Sequence, residues 1–273
     1  MAATPSSFYV GGTMKIILEE NERLDEVNDK LRLIQKTDGL TFGTDALLLA
    51  AFVAKKAKRA LEIGGGSGIV SLLLATRERC SYIDCLEVQE TYAALIERNV
   101  HLNGLDGRVN AVCADARAFP LRADTGSYDA VFSNPPYMTV DSGAACDSDT
   151  KEIARHEHFG GIADFAATAS RALKYGGAFY AVFLPERLAD LISACRASNL
   201  EPKRLCFVSA RSELPPSMVL LEARRGGKPG LFVTPTLILK KDGLDTEEMS
   251  YILEHGKFPA PYERRTPCRT LRT

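Results

Sequence analysis

Between residues 59 and 223 the chain switches repeatedly between short apolar runs and longer stretches whose apolar positions recur every three or four residues. The first pattern suits buried strands, and the second suits helices packed on one face. Residues 59–63 read as a first strand, 64–68 as a glycine turn and 69–76 as a helix. Residues 81–86 read as the second strand, followed by a helix over 89–103 that Asn103-Gly104 would stop. Residues 109–114 and 128–133 are the third and fourth strands in this reading. A helix over 163–174, closed by Gly176-Gly177, leads to a fifth strand over 178–184 and a helix over 186–198. Residues 204–209 and 218–223 flank Glu213-Leu-Pro-Pro216 with no helical stretch between them. That predicts an antiparallel pair at the end of a parallel sheet. The alternation as a whole predicts one doubly wound α/β domain.

The flanks are less regular. Residues 15–43 mix charged clusters with short apolar runs, and Gly39 and Gly43 bracket Leu40-Thr-Phe42, which suggests a small hairpin or cap. Thr44 suits a helix N-cap and Asp45 its positive first turn, before an apolar helix over 46–57. Lys55, Lys56, Lys58 and Arg59 would complement that helix's negative end. Residues 231–239 read as a final strand, and a short helix starts at Thr246. The expected division is a disordered end (1–13), a cap segment and helix (14–58), the α/β domain (59–240), and a C-terminal helix with a basic tail (241–273).

Composition narrows the class. At 273 residues, 45% hydrophobic and 25% charged, the chain is an ordinary globular protein. Its net charge of -1 makes no global demand for nucleic acid. The charge is uneven, with 13 Lys/Arg against 9 Asp/Glu from residue 201 onward. Arg264, Arg265, Arg269 and Arg272 end the chain as a basic tail, read as a solvated terminus rather than a phosphate contact. Seven cysteines, an odd number with no Cys-x-x-Cys pair, imply reduced thiols, a cytoplasmic protein and no metal site. Cys85, Cys113 and Cys206 sit in apolar runs and read as small hydrophobes. No apolar run approaches the ~20 residues of a membrane span. The N-terminus lacks the regions of a signal peptide, so no membrane is expected.

Candidate chemistry collects at the ends of the first four strands. The fourth runs into Asn134-Pro135-Pro136-Tyr137, where two prolines end the strand and stiffen the corner. The Asn134 amide oxygen and the Pro135 carbonyl could accept two N–H bonds from a planar amino group. The Tyr137 ring could stack on its face. The first strand ends in Glu62-x-Gly64-x-Gly66-x-Gly68, where glycines let a ligand approach the backbone and a helix N-terminus favours an anionic group. This spacing differs from the G-x-G-x-x-G of dinucleotide sites. The second strand ends at Glu87-Val88, 19 residues past Gly68, near the ~20 expected of an acid that binds ribose hydroxyls. The third ends at Asp115-Ala116. Such sheets bind ligands at the carboxyl ends of their strands. The polar stretch 138–159 follows the corner directly, and its length marks it as a substrate loop.

This ordered set resembles Rossmann-like S-adenosyl-L-methionine-dependent methyltransferases, and Asn-Pro-Pro-Tyr resembles the subgroup acting on planar amino nitrogens. Leu24-Asp-Glu-Val, Leu33-Ile-Gln35, Phe42-Gly-Thr-Asp-Ala46, Ala154-Arg-His-Glu157 and Lys228-Pro-Gly-Leu-Phe-Val-Thr-Pro-Thr-Leu237 are more narrowly similar to the bacterial valine-tRNA adenine-37 N6-methyltransferase family. The resemblance covers residues 14–257. It implies a mostly parallel seven-stranded sheet with the last strand antiparallel and helices on both faces. It also implies S-adenosyl-L-methionine as cofactor, the anticodon loop of a tRNA as partner, and a monomer. Glu62, Gly64, Gly66, Gly68, Glu87, Val88, Asp115, Ala116 and Asn134 would hold the cofactor, with Thr44 and Asp45 over its methionine end. Asn134, Pro135, Pro136 and Tyr137 would be catalytic. Arg155-His156-Glu157 reads either as a helix-surface ion pair or as a site where Arg155 would touch a phosphate or base edge, whereas the acidic 141–149 stretch is a poor match for RNA phosphates.

The same corner could serve a release-factor glutamine amide or guanine N2 of ribosomal RNA. The short segment before Thr44 argues against the first, and the lack of an added RNA-binding domain argues against the second. DNA adenine methylation would need a target-recognition domain, which the chain lacks. A non-catalytic RNA-binding scaffold predicts loss of Asn134 or the glycines, and both are present.

Overall fold

The computed structural model describes residues 7–10, 14–38, 42–119, 124–135 and 160–263. Two antiparallel hairpins come first, β1 (Ser7–Val10) with β2 (Met14–Ile17) and β3 (Glu22–Asn28) with β4 (Leu31–Lys36). Residues 7–10 are therefore ordered as a strand, not part of a disordered end. Helix α1 (Thr44–Phe52) follows, then β5 (Ala57–Ile63), α2 (Ile69–Thr76), β6 (Cys80–Glu87), α3 (Glu90–Leu102), β7 (Val109–Cys113) and β8 (Tyr128–Ser133). Next are α4 (Ile162–Ala172), β9 (Leu173–Phe183), α5 (Leu188–Ala197), β10 (Leu200–Ser209) and β11 (Met218–Arg225). Short strands β12 (Phe232–Val233), β13 (Leu237–Ile238), β14 (Lys240–Lys241) and β15 (Leu244–Asp245) lead to α6 (Glu247–His255).

The main sheet runs β7-β6-β5-β8-β9-β11-β10. It is parallel except for β11, which slots antiparallel between β9 and β10. Both faces are covered, so its strands are apolar on both sides. On β9, Ala178, Tyr180 and Val182 face the core shared with α1, α2, α3 and α6. Phe179, Ala181 and Phe183 face the core under α4 and α5. This is a Rossmann-like architecture.

Four local expectations need correcting. The first concerns α1, which begins one residue early, with Gly43 at the N-cap position and Thr44 inside, and stops at Phe52. Its last turn contains no basic residue; Lys58 and Arg59 belong to β5. The orphan carbonyls are met from afar instead. Arg79 Nη2 donates to Val53 O and Ala54 O at 2.7 and 2.6 Å. Arg204, 2% exposed, donates to the Phe52 carbonyl, stacks 3.7 Å over the Phe52 ring and pairs with Glu222 at 3.2 Å.

Second, α4 ends at Ala172 and Gly176-Gly177 lie inside β9, because Leu173 already pairs with Tyr128. The glycines form a bulge there, with Gly176 at φ +78 and a Cβ on Gly177 only 2.9 Å from the Lys174 carbonyl. Third, the expected strand over 231–239 is two short ones, both parallel to β10, so the sheet gains two strands. Pro235 interrupts them because it has no N–H for the ladder. Fourth, Cys113 is exposed, whereas Cys85 and Cys206 are buried. The 138–159 stretch and the arginines from residue 264 onward lie outside the described residues.

The β3–β4 hairpin is fastened to α3. Arg98 grips Glu22 with two bonds of 2.6 and 2.8 Å. Asn99 accepts from Ile34 N at 2.7 Å and donates to Ile34 O at 3.0 Å, as a neighbouring strand would. Asn103 does the same for Arg32, at 2.9 and 2.7 Å.

Candidate active site

The chain leaves β5 toward β6 and β7 on one side, and returns through β8 toward β9 on the other. Strand order therefore reverses between the paired strands β5 and β8, and the usual ligand crevice of such sheets lies outside their carboxyl ends. Ile63 pairs with both Leu86 and Ser133. The ends of β5, β6 and β8 thus lie level, with the end of β7 beside Glu87. This single edge gathers the glycine turn, Glu87-Val88, Asp115-Ala116 and Asn134-Pro135.

The glycine turn is held by its neighbours. Gly64 N and Gly65 N both donate to Leu86 O, at 2.9 and 3.0 Å. Gly64, Gly66 and Gly68 have φ of +74, +55 and +82, a region that favours glycine. A Cβ on Gly66 would meet nothing within 4 Å, so the backbone there borders open space. Gly65 is different, because a Cβ would collide with Cys85 Sγ and approach Ile96 Cδ1 to 3.0 Å.

Glu62 lies beneath this turn, 2% exposed. Gly68 occupies the N-cap of α2 and has no side chain, so an orphan amide remains. Glu62 Oε2 accepts from Ser71 N at 3.0 Å, from Ser71 Oγ and from Cys85 Sγ at 3.3 Å. It caps the helix from the preceding strand. Burial pushes the Glu62 carboxyl up to about 7, against the pull of its Ser71 and Cys85 bonds. Burial likewise pushes the Cys85 thiol well up.

Glu87, also buried, accepts from Gly66 N at 2.9 Å and from Gln89 N at 3.0 Å. Two of the roughly four lone-pair positions of a carboxylate are thereby engaged, and the rest suit hydroxyl donors. The Val88 carbonyl takes a weak bond from Cys113 Sγ at 3.9 Å. Asp115 caps the 3₁₀ turn Ala116–Ala118, accepting from Arg117 N at 2.8 Å and pairing with its guanidinium at 2.6 Å. The Arg117 bond holds the Asp115 carboxyl below its ordinary value. To accept from a ligand amine, Asp115 would have to release part of that fork. Ala116 is buried, and its carbonyl accepts from Thr168 Oγ1 at 2.7 Å.

At the other wall, Pro135 is buried and Asn134 half-buried. Asn134 Nδ2 donates to Asp45 Oδ2 at 2.7 Å, joining the strand-end amide to the first turn of α1. Thr44 lies next to it, half-buried. Pro136, Tyr137 and Arg155-His156-Glu157 lie outside the described residues. Among the described residues, no group of three metal-type ligands converges, and no helix is long and apolar enough to cross a membrane.

Sequence reasoning missed several supports. Ser133 Oγ donates to Ile63 O at 2.7 Å, tying the Asn134 corner to the root of the glycine turn. Asn99 Nδ2 also reaches Ser67 O at 3.0 Å inside that turn. A polar residue at a buried position among Leu95, Ile96 and Val100 of α3 was the available signal.

Residues 36–189 match the family model described as methyltransferase small domain. A Bacteroides fragilis protein named tRNA1(Val) (adenine(37)-N6)-methyltransferase is 29% identical over 180 residues, 66% of this chain and 75% of that one. One of the same name from Shigella dysenteriae is 33% identical over 150 residues, 54% and 60% of the two chains. The crystal structure of a predicted O-methyltransferase from Agrobacterium tumefaciens superposes with TM-score 0.64 at 21% identity, covering 79% of this chain and 98% of that one. With more than half of its length inside the family model, the chain belongs to the methyltransferase small domain family.

Proposed function

We propose that this chain is an S-adenosyl-L-methionine-dependent methyltransferase that modifies the exocyclic N6 of adenine 37 in the anticodon loop of a tRNA, valine tRNA by similarity to its named relatives. The observation that carries the reading is the Asn134 amide at the end of β8, beside the glycine turn, with its nitrogen bonded to Asp45. In this reading Asn134 Oδ1 would accept from the substrate amine while Nδ2 stays on Asp45.

The open backbone at Gly66 fits a cofactor lying along the turn. Glu87 would hold its ribose hydroxyls, Val88 and Ala116 would flank its adenine, and Asp115 would accept from the adenine amine. Glu62 would act from beneath by fixing the turn, and Thr44 and Asp45 would border the far end. When bound, the cofactor supplies an electrophilic methyl group on a sulfonium.

The acceptor nitrogen is a weak nucleophile because its lone pair is delocalised into the ring. Asn134 Oδ1 and the Pro135 carbonyl accept its two hydrogens, favour a pyramidal nitrogen and aim the lone pair. By the resemblance, Pro136 would stiffen the corner and Tyr137 would stack on the base. The product ammonium is acidic and sheds its proton without a strong base, so orientation and charge placement carry the catalysis. An anticodon loop lets the adenine leave its stack at low cost. The enzyme acts as a cytoplasmic monomer in this reading.

The test is to incubate the protein with methyl-labelled cofactor and separate pools of tRNA, ribosomal RNA and a release factor. N6-methyladenosine in the tRNA pool supports the assignment. N2-methylguanosine in ribosomal RNA, or a methylated glutamine, would replace it.

A further inference from the structure

We infer that Asp45 is a positioning residue that sets which way round the Asn134 amide stands. This rests on the reading that Asn134 grips the acceptor amine. A side-chain amide carries one acceptor and one donor branch, and rotation by half a turn exchanges them. In the wrong orientation Asn134 would point N–H groups at an amino group and repel it. The 2.7 Å contact between Asn134 and Asp45 Oδ2 removes that choice. An ionised carboxylate only accepts, so the atom facing it must be nitrogen.

Other contacts hold Asp45 itself. It stands in the first turn of α1, where the positive helix end suits a carboxylate. Arg79 and Arg204 fasten the opposite end of that helix to the body of the protein. The Asp45 side chain folds back over the start of the helix, where a Cβ on Gly43 would lie 2.8 Å from Asp45 Oδ1. The bond is charge-assisted and so stronger than an amide–amide contact. It also makes Oδ1 a better acceptor and places a negative charge one residue behind the nitrogen that becomes cationic.

Asp45→Asn is the informative change. The new amide can donate or accept, so both Asn134 orientations become allowed with nearly the same shape. Single-turnover methylation at saturating tRNA is measured for wild type, Asp45→Asn, Asn134→Ala and the double variant, with S-adenosylhomocysteine titrated into each. With cofactor also saturating, as the titrations allow, the rate should fall ~10- to 100-fold in Asp45→Asn, the scale of losing one preorganised polar contact. In the Asn134→Ala background the same change should cost nothing further. Equal losses in both backgrounds, or no loss, overturns the inference.

A substrate-free readout separates this from failure of the functional reading. The Asn134 side-chain amide resonance, identified by its absence in Asn134→Ala, should move on Asp45→Asn substitution. An unmoved resonance overturns the inference whatever the enzyme methylates.

Discussion

Ser133 Oγ donates to the Ile63 carbonyl at 2.7 Å, and this one bond spans the point where the sheet reverses its strand order. Ser133 precedes Asn134, and Ile63 precedes Gly64. The bond therefore adds a side-chain tie between the Asn134 corner and the glycine turn, beside the backbone pairing of Ile63 with Ser133. Ser133→Ala should destabilise the protein by about 1–3 kcal/mol, the cost of leaving a buried polar partner short of a bond. It should also slow turnover more than it weakens cofactor binding. Denaturant unfolding and cofactor titration check this; a variant of wild-type stability would show that the bond contributes nothing.

Asn99 connects the N-terminal hairpin to the glycine turn through Ile34 and Ser67. Asn99→Ala leaves three buried backbone groups short of a partner, so a loss of about 2–4 kcal/mol is expected. The Ile34 amide should exchange its hydrogen faster, and affinity for the cofactor should drop. Unchanged exchange at Ile34 would contradict this role.

Gly65 is kept small by Cys85 and Ile96. Gly65→Ala should overpack this site, cost about 1–3 kcal/mol and weaken cofactor binding by displacing the turn. Cys85→Ala in the same chain should recover part of both losses, because the sulfur is the atom struck. Thermal unfolding and titration of the single and double variants decide it; additive losses would place the strain elsewhere.

Glu62 makes stability depend on pH with an unusual sign for a carboxylate. Its carboxyl is pushed up from 4.5 to about 7, so the fold holds a proton that the unfolded chain has released. Its contribution is full below about 4.5 and disappears as pH rises through about 7. The shift corresponds to at most about 3 kcal/mol. Glu62→Gln keeps an acceptor for Ser71 without titrating. Measured against wild type, this variant should gain relative stability between about pH 4.5 and pH 8. A stability difference that stays constant across that range would show that Glu62 does not titrate there.

Where neighbours in sequence decide the structure, the sequence was readable. Residues 128–133 form a strand because Tyr, Val and Phe suit one and the prolines end it, and the structure has the same limits. Residues 69–76 likewise form the helix expected after the glycines. Asn134 could be singled out because its corner punctuates a strand. The misses depend on partners far away in the chain. The end of α1 is completed by Arg79 and Arg204, not by the lysines that follow it. Gly176-Gly177 looked like a helix stop, but pairing of Leu173 with Tyr128 had already begun a strand. Asp45 enters the expected cofactor site by resemblance alone, and its bond to Asn134, 89 positions away, follows only from how α1 packs.

The central claim is that Asn134 holds an adenine amine for methyl transfer. The most direct measurement is nucleoside mass spectrometry on a tRNA bearing adenine 37, treated with labelled cofactor and either wild type or Asn134→Ala. Wild type should place one methyl group on N6 of that adenine, and the variant should lose ~100-fold or more in rate while still binding cofactor. A methyl group on a ring nitrogen or ribose oxygen, or a variant within a few-fold of wild type, would contradict the account.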